Sequence, residues 1–179
     1  PLGSAIRVND VPDCAGYQGS SRVAMMDNGT YMVSWLNYGS GSADNNIYGQ
    51  IFRSDGSRVK NNFLVYQKNN YDWHGPIIFA NNYDDAFWIL HSVGNRESGI
   101  KIYVETCDTL ANKLDSFQLN TGTLKYGFVS SVVVDNSGHF IVVWFGGTST
   151  NSDYSDIYAR KYNEHGEPLT SPFKVNDDA

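Results

Sequence analysis

The sequence predicts an all-β protein built from three four-stranded antiparallel repeats. The dipeptide Ile-Tyr recurs at Ile47, Ile102 and Ile157, with 55 residues between successive copies. Each unit holds four short apolar runs rich in β-branched and aromatic residues, which favour strands over helices. Gly, Asn, Asp and Ser separate the runs, and these residues are typical of tight turns. A four-stranded unit at this period is typical of a β-propeller blade.

The third repeat shows the four predicted strands most clearly, at residues 131–134, 140–145, 157–162 and 173–175. The second run is apolar on both faces, which predicts a strand in a sheet that is covered on both sides. Residues 110–114 in the second repeat have a helical pattern, but they stand where the other repeats have a turn. We therefore expect a turn that has lost its glycine.

The third run of every repeat places a polar residue between two larger ones. These polar positions are Gln50, Glu105 and Arg160. Because a buried charge usually needs a partner, we expect Glu105 and Arg160 to pair between adjacent units.

The repeats set the expected boundaries of the chain. Residues 1–4 are interpreted as the scar of a cleaved expression tag, 5–16 as a leftover strand and linker, 17–70 as repeat 1, 71–125 as repeat 2 and 126–179 as repeat 3. The leftover strand is indicated by Ile-Arg-Val-Asn at residues 6–9, which matches Lys-Val-Asn at residues 174–176. We expect the three repeats to form one structural domain.

Residues 157–168, followed by Phe-Lys-Val-Asn at 173–176, resemble a tandem repeat of large secreted and surface-anchored microbial proteins. In that family a valine-rich strand ending in Trp precedes Ile-Tyr-Ala-Arg, Gly-x-Pro and Phe-x-Val-Asn. Trp35 and Trp144 stand at the Trp position, whereas the second repeat has His91 there. The resemblance implies propeller-like blades and a location outside the cell or on its surface.

Three blades do not close a ring, since propellers typically have four to eight. The chain is then either a segment of a longer array or a subunit that needs another to complete it, for example two chains forming a six-bladed ring. The alternative architecture is a β-trefoil-like or β-prism-like domain, in which three four-stranded units form one pseudo-threefold body.

Composition excludes several classes of function. The net charge of −6 and the pI near 5.0 argue against a nucleic-acid partner, because such proteins usually carry a basic stripe. No stretch approaches the roughly 18 apolar residues of a membrane-spanning helix. Cys14 and Cys107 are the two cysteines, and both a disulfide and a small buried thiol at Cys107 are compatible with the pattern.

No catalytic arrangement stands out in the sequence. The four histidines lie at different repeat positions without the spacing of a metal pair, and they are His74, His91, His139 and His165. A nucleophile elbow, a phosphate loop and paired-cysteine motifs are all missing from the sequence. We therefore predict that the protein is not an enzyme, and a glycosidase-like fragment ranks only third among the functional hypotheses.

Candidate binding residues are those that depart from the repeat or lie in its long polar loops. Trp73 qualifies because its counterparts are Gly19 and Phe128. The full set of ligand-binding candidates is Trp73, His74, Asn37, Tyr38 and Tyr154. Aromatic faces combined with amide groups suit a sugar ligand, although tyrosines that merely cover loop and blade edges would look the same.

Acidic loop residues also suggest a calcium site. The candidate oxygen ligands are Asp44, Asp153 and Asp156, with solvated turn aspartates as the alternative. No other cofactor is expected.

The sequence thus favours a non-catalytic extracellular recognition or adhesion module that binds a glycan or a protein partner through its inter-strand loops. The alternative is a purely structural repeat that assembles a larger surface protein.

Overall fold

The computed structural model describes residues 4–10, 16–38, 45–67, 74–95, 99–124, 126–147 and 156–177. These residues form twelve β-strands in three four-stranded sheets and contain no helix. Accordingly, no helix long and apolar enough to cross a membrane occurs among them. The expected all-β class and the three antiparallel four-stranded units are confirmed.

Each sheet contains the four strands of one repeat, in sequence order and antiparallel throughout. Sheet A consists of β1 (Tyr17–Met25), β2 (Tyr31–Tyr38), β3 (Asn45–Phe52) and β4 (Phe63–Tyr66). Sheet B consists of β5 (Ile77–Asn81), β6 (Ala86–Asn95), β7 (Gly99–Asp108) and β8 (Lys113–Leu124). Sheet C consists of β9 (Tyr126–Val134), β10 (Phe140–Gly147), β11 (Asp156–Tyr162) and β12 (Phe173–Lys174).

Sheet B lies between the other two sheets, and a hydrophobic core fills each interface. Met32 and Ile47 of sheet A share one core with Phe87 and Ile89 of sheet B. Trp88, Leu90 and Val104 of sheet B share the second core with Phe140, Val142 and Trp144 of sheet C. Residues 86–90 of β6 are at most 3% exposed on either face, so this strand is covered on both sides as expected. The equivalent strand β10 has one buried and one half-buried face.

The first strands of the three sheets run side by side in the same direction. Gly75, just before β5, packs against Ser20 of β1. At the far end of the same strands, Asp27 N donates to Asn82 Oδ1 at 2.9 Å. We call the end where β1, β5 and β9 begin the loop end, and the opposite one the turn end.

Residues 109–111 form a turn between β7 and β8, as expected for this place in the repeat. Ala111 N donates to Asp108 O at 3.0 Å. Ala111 has a φ of 62°, in the left-handed region that Gly56 and Gly166 adopt in the matching turns at 82°. The turn has therefore kept its shape without the glycine that suits it.

The expected pair between Glu105 and Arg160 is wrong. Glu105 is opposite Ile89, which faces sheet A, whereas Arg160 is opposite Val142, which faces sheet B. The two side chains belong to different interfaces with sheet B between them. Arg160 Nε instead donates to the Thr170 carbonyl at 2.6 Å.

Residues 4–10 are irregular, so the leftover strand expected there does not form within the described residues. Each sheet already has four strands of its own, and the segment lies against sheet A instead. Asp10 anchors the segment through an ion pair with Arg58. It also forms two hydrogen bonds with Asn62: the backbone N of Asn62 donates to Asp10 Oδ2 at 2.9 Å, and the backbone N of Asp10 donates to Asn62 Oδ1. Cys107 is a free buried thiol 3.9 Å from the Met32 sulfur, and Cys14 lies outside the described residues.

Candidate functional site

The fold brings the described candidate residues to one end of the molecule. Asn37 and Tyr38 end β2, His74 precedes β5 and Asp156 begins β11, and all three positions are at the loop end. The other candidates, Trp73, Tyr154, Asp44 and Asp153, lie outside the described residues. The antiparallel topology therefore places these candidates at the same end of the molecule, although they are far apart in sequence.

Tyr38 forms an aromatic pair with Tyr17, the first residue of β1. The ring centroids are 5.2 Å apart and the planes are inclined by 45°. Tyr17 is 73% exposed, whereas Tyr38 is half-buried. Sequence reasoning missed Tyr17 as a site residue, because it recurs at the start of each repeat with Tyr71 and Tyr126 and so resembled a structural anchor.

A pocket of about 210 Å³ opens on the other face of sheet A, the face of Val33 and Trp35. It is lined by Val8, Asn9, Gln18, Gly19, Ser21, Val33 and Trp35. Tyr17 and Tyr38 do not line it, because they lie on the same face as Leu36, which packs against sheet B. A Cβ added at Gly19 would lie 3.2 Å from Tyr17 Cε1, so the glycine leaves room for the Tyr17 ring on that face.

Asn9 and Gln18 are the two amide side chains that line this pocket. Asn9 Nδ2 donates to Gln18 Oε1 at 2.6 Å, and Asn37 is the cross-strand neighbour of Gln18. Asn37 is 6% exposed, and its Oδ1 accepts no hydrogen bond from any described residue. Because an unpaired buried acceptor costs about 1–3 kcal/mol, this oxygen is suited to receive a hydroxyl or amide proton from a ligand or water.

His74 has a different environment. Its ring stacks on Phe128 of β9, with centroids 3.9 Å apart and planes inclined by 17°. The Phe128 ring in turn contacts the Phe145 ring, with centroids 5.6 Å apart. His74 thus joins sheets B and C at the loop end, away from the pocket on sheet A.

Asp156 is held by neighbouring side chains of sheet C. Asn176 Nδ2 donates to Asp156 Oδ1 at 3.0 Å, and Lys174 Nζ lies 3.1 Å from the same oxygen. The hydrogen bond from Asn176 and the Lys174 charge lower the pKa of Asp156. Within the described residues no group of three or more His, Cys, Asp or Glu side chains is arranged to hold a metal ion. The calcium site stays a prediction.

The tryptophans at the repeat-defining position are core residues. Trp35 and Trp144 are 4% and 1% exposed and stack on Tyr48 and Tyr158, respectively. In sheet B, His91 fills this position and stacks on Tyr103 in the same way.

His91 introduces a second polar cluster, at the interface of sheets A and B. Glu105 is 2% exposed and lies 3.5 Å from His91 Nε2, 2.7 Å from Lys113 Nζ and 2.7 Å from Ser116 Oγ. Burial raises the pKa of Glu105, but the bonds from His91, Lys113 and Ser116 outweigh it and lower the pKa below its ordinary value. The three groups that bind its carboxylate come from β6 and β8, so this cluster joins neighbouring strands within sheet B.

No family model matches the chain, and no curated protein matches it. The structure is similar to an N-acetylgalactosamine deacetylase from F. plautii, solved in complex with blood group B trisaccharide. The TM-score is 0.62 at 12% identity, over 99% of this chain and 59% of that one.

It is also similar to an endo-1,4-β-xylanase from Bacteroides thetaiotaomicron VPI-5482. Here the TM-score is 0.59 at 15% identity, over 91% of this chain and 62% of that one. The likeness is one of fold. The chain spans about three fifths of the length of each of these structures.

Proposed function

We propose that this protein is a non-catalytic recognition module that binds a glycan at the loop end of sheet A. The observation that carries the proposal is the exposed Tyr17–Tyr38 pair at the loop end of this sheet. Two similar structures belong to proteins named for action on carbohydrates, which supports a glycan over a protein as the ligand.

In the proposed binding mode, the apolar face of a sugar ring stacks on Tyr17, since an exposed aromatic ring offers apolar area for such a contact. The sugar hydroxyls bond to polar side chains at the same end of the molecule, which fix its orientation.

The architecture that we propose is a group of propeller-like blades displayed outside the cell. The face-to-face stacking of four-stranded sheets with adjacent first strands supports it. Binding without catalysis is supported by Asp156, which is at the loop end. Glycosidases need two acids that face each other across the bond, whereas Asp156 is held by Lys174 and Asn176.

The test is a glycan array followed by calorimetry on the bound glycans. We expect Tyr17→Ala to weaken binding at least tenfold while the fold is retained, because the ring is 73% exposed. Tyr83→Ala is the matched control, since Tyr83 is 59% exposed at the turn end and its loss should leave affinity unchanged.

A blank array, or equal losses in the two variants, would rule out the platform. Trp73→Ala tests another aromatic candidate of the sequence in the same assay. Release of reducing sugar or acetate from a bound glycan would instead show an enzyme.

A second candidate function, assembly of a larger protein, is favoured by the exposed apolar faces of the two outer sheets.

A further inference from the structure

The outer faces of sheets A and C carry exposed apolar side chains, and no described sheet covers them. On sheet C, Val133 is 63% exposed and Phe173 is 50% exposed. On sheet A, Val23 and Met25 of β1 are 64% and 65% exposed. Single exposed apolar residues are ordinary on a protein surface, whereas a face of them marks an interaction site.

The outer face of sheet C repeats the faces that are buried inside the molecule. In sheet A, Ala24 and Met32 pack against sheet B, and in sheet B, Phe79 and Trp88 pack against sheet C. The cross-strand pair at the same repeat position in sheet C is Val133 and Ile141. Sheets A and B each use this face to pack against the next sheet in the chain. In sheet C the same face is exposed to solvent.

The outer face of sheet A is the complementary half of such an interface. Phe87 and Ile89 of sheet B pack against sheet A. Phe140 and Val142 of sheet C pack against sheet B in the same way. The same repeat positions in sheet A are Tyr31 and Val33, and Val33 is paired with exposed Val23.

Residues 6–9 indicate where a further sheet would lie if it packed on the outer face of sheet A. Val8 lines a pocket with Val33 and Trp35, just as Val65 of β4 lines a pocket with Ile89 one sheet later. The segment therefore rests on sheet A in the place of the fourth strand of a preceding sheet.

We propose that a second copy of this chain docks its sheet C on the outer face of sheet A. A twofold pair makes this contact twice and closes six sheets into a ring, so no apolar face is left over. Residues 6–9 already fill the place of the fourth strand there, so β12 of the docking sheet is the strand that is displaced. This strand has two residues, Phe173–Lys174, and one further backbone bond to β11 from Val175 N to Ile157 O.

The first test is the molar mass in solution by light scattering across a hundredfold range of concentration. We expect a species of twice 19.9 kDa that Val133→Glu converts to monomer. Leu110→Glu is the matched control, because Leu110 is 59% exposed in a turn of sheet B, on neither outer face. A monomer at every concentration, or open-ended polymers, would overturn the closed pair, as would dissociation by Leu110→Glu.

The second test asks which faces meet, and it uses two single variants in a Cys14→Ser background. We expect Val23→Cys and Val133→Cys chains to form a disulfide-linked dimer on mixing, because the first strands of successive sheets are neighbours. Mixing Val23→Cys with Leu110→Cys is the control and should give none. Efficient crosslinking of Val133→Cys to itself would mean that like faces meet, and the proposal would fail.

Discussion

One position on the third strand of each repeat shows how much a single residue depends on its surroundings. Gln50 of sheet A is fully buried, Glu105 of sheet B is buried in an ionic cluster, and Arg160 of sheet C is bound to a backbone carbonyl. The repeat position that holds Trp35 in sheet A and Trp144 in sheet C differs in sheet B as well. There it holds His91, which contacts Glu105. Where sheet A has Trp35 and Gln50, the second repeat thus has a His91–Glu105 pair with its own partners.

This replacement predicts a pH dependence of folding. The pKa of Glu105 is lower in the folded state than its unfolded value of about 4.3. The stabilisation is therefore present above that value and is lost as the pH falls through the folded pKa. Glu105→Gln, which installs the residue of sheet A, should cost about 1–3 kcal/mol at neutral pH.

Urea denaturation of both proteins from pH 7 to pH 3 checks this prediction. The gap in the free energy of unfolding should shrink as the solution becomes acidic. A gap that is constant with pH would show that the Glu105 charge contributes nothing.

At the scale of elements, the three repeats share the geometry of their turns as well as that of their strands. The turns that close at Gly29, Gly56, Ala111, Gly138 and Gly166 all have positive φ angles. Ala111 shows that the turn tolerates a side chain where the tertiary contacts support it, here with Lys60 Nζ 2.9 Å from the Ala111 carbonyl. The helical pattern at residues 110–114 was overruled by the same turn geometry.

Two glycine substitutions separate backbone strain from packing. Gly56→Ala adds a Cβ with nothing within 4 Å, so only the left-handed conformation is penalised, by about 1–2 kcal/mol. Gly166→Ala has the same φ of 82°, but its Cβ would lie 2.5 Å from Phe117 Cε2 of sheet B. We expect Gly166→Ala to lower the free energy of unfolding clearly more than Gly56→Ala in chemical denaturation. Equal losses would mean that the Phe117 ring moves aside freely.

At the scale of the whole molecule, the three sheets differ in how fully they are covered. Sheet B has a core on each face, whereas sheets A and C each have one face with exposed apolar residues. Segments with the most buried contacts open least often.

Hydrogen exchange of the Val133→Glu variant, in which pairing is removed, should therefore be slowest in β6 and β7. Strands β1 and β9 should exchange faster, since Val23, Met25 and Val133 are exposed on them. Uniform protection across the three sheets would show that the chain opens only by global unfolding.

Much of the site could not be predicted because it depends on contacts across the repeat. Asn37 and Tyr38 were accessible to sequence reasoning as amide and aromatic residues in a polar loop. Tyr17 was not, since its role comes from its exposure and from the bare Gly19 beneath its ring. Asn9 was not either, because residues 4–10 fold back on sheet A by way of Asp10.

The sequence by itself determined the all-β class, the three four-stranded units and the turn at Ala111. Such features follow from local periodicity and turn chemistry, which need no knowledge of distant contacts. Only the tertiary structure decided which sheet is central, that Glu105 pairs within its own sheet and that residues 4–10 form no strand. Those outcomes depend on which face of each sheet meets the next, and an alternating pattern of apolar residues does not say which face will be covered.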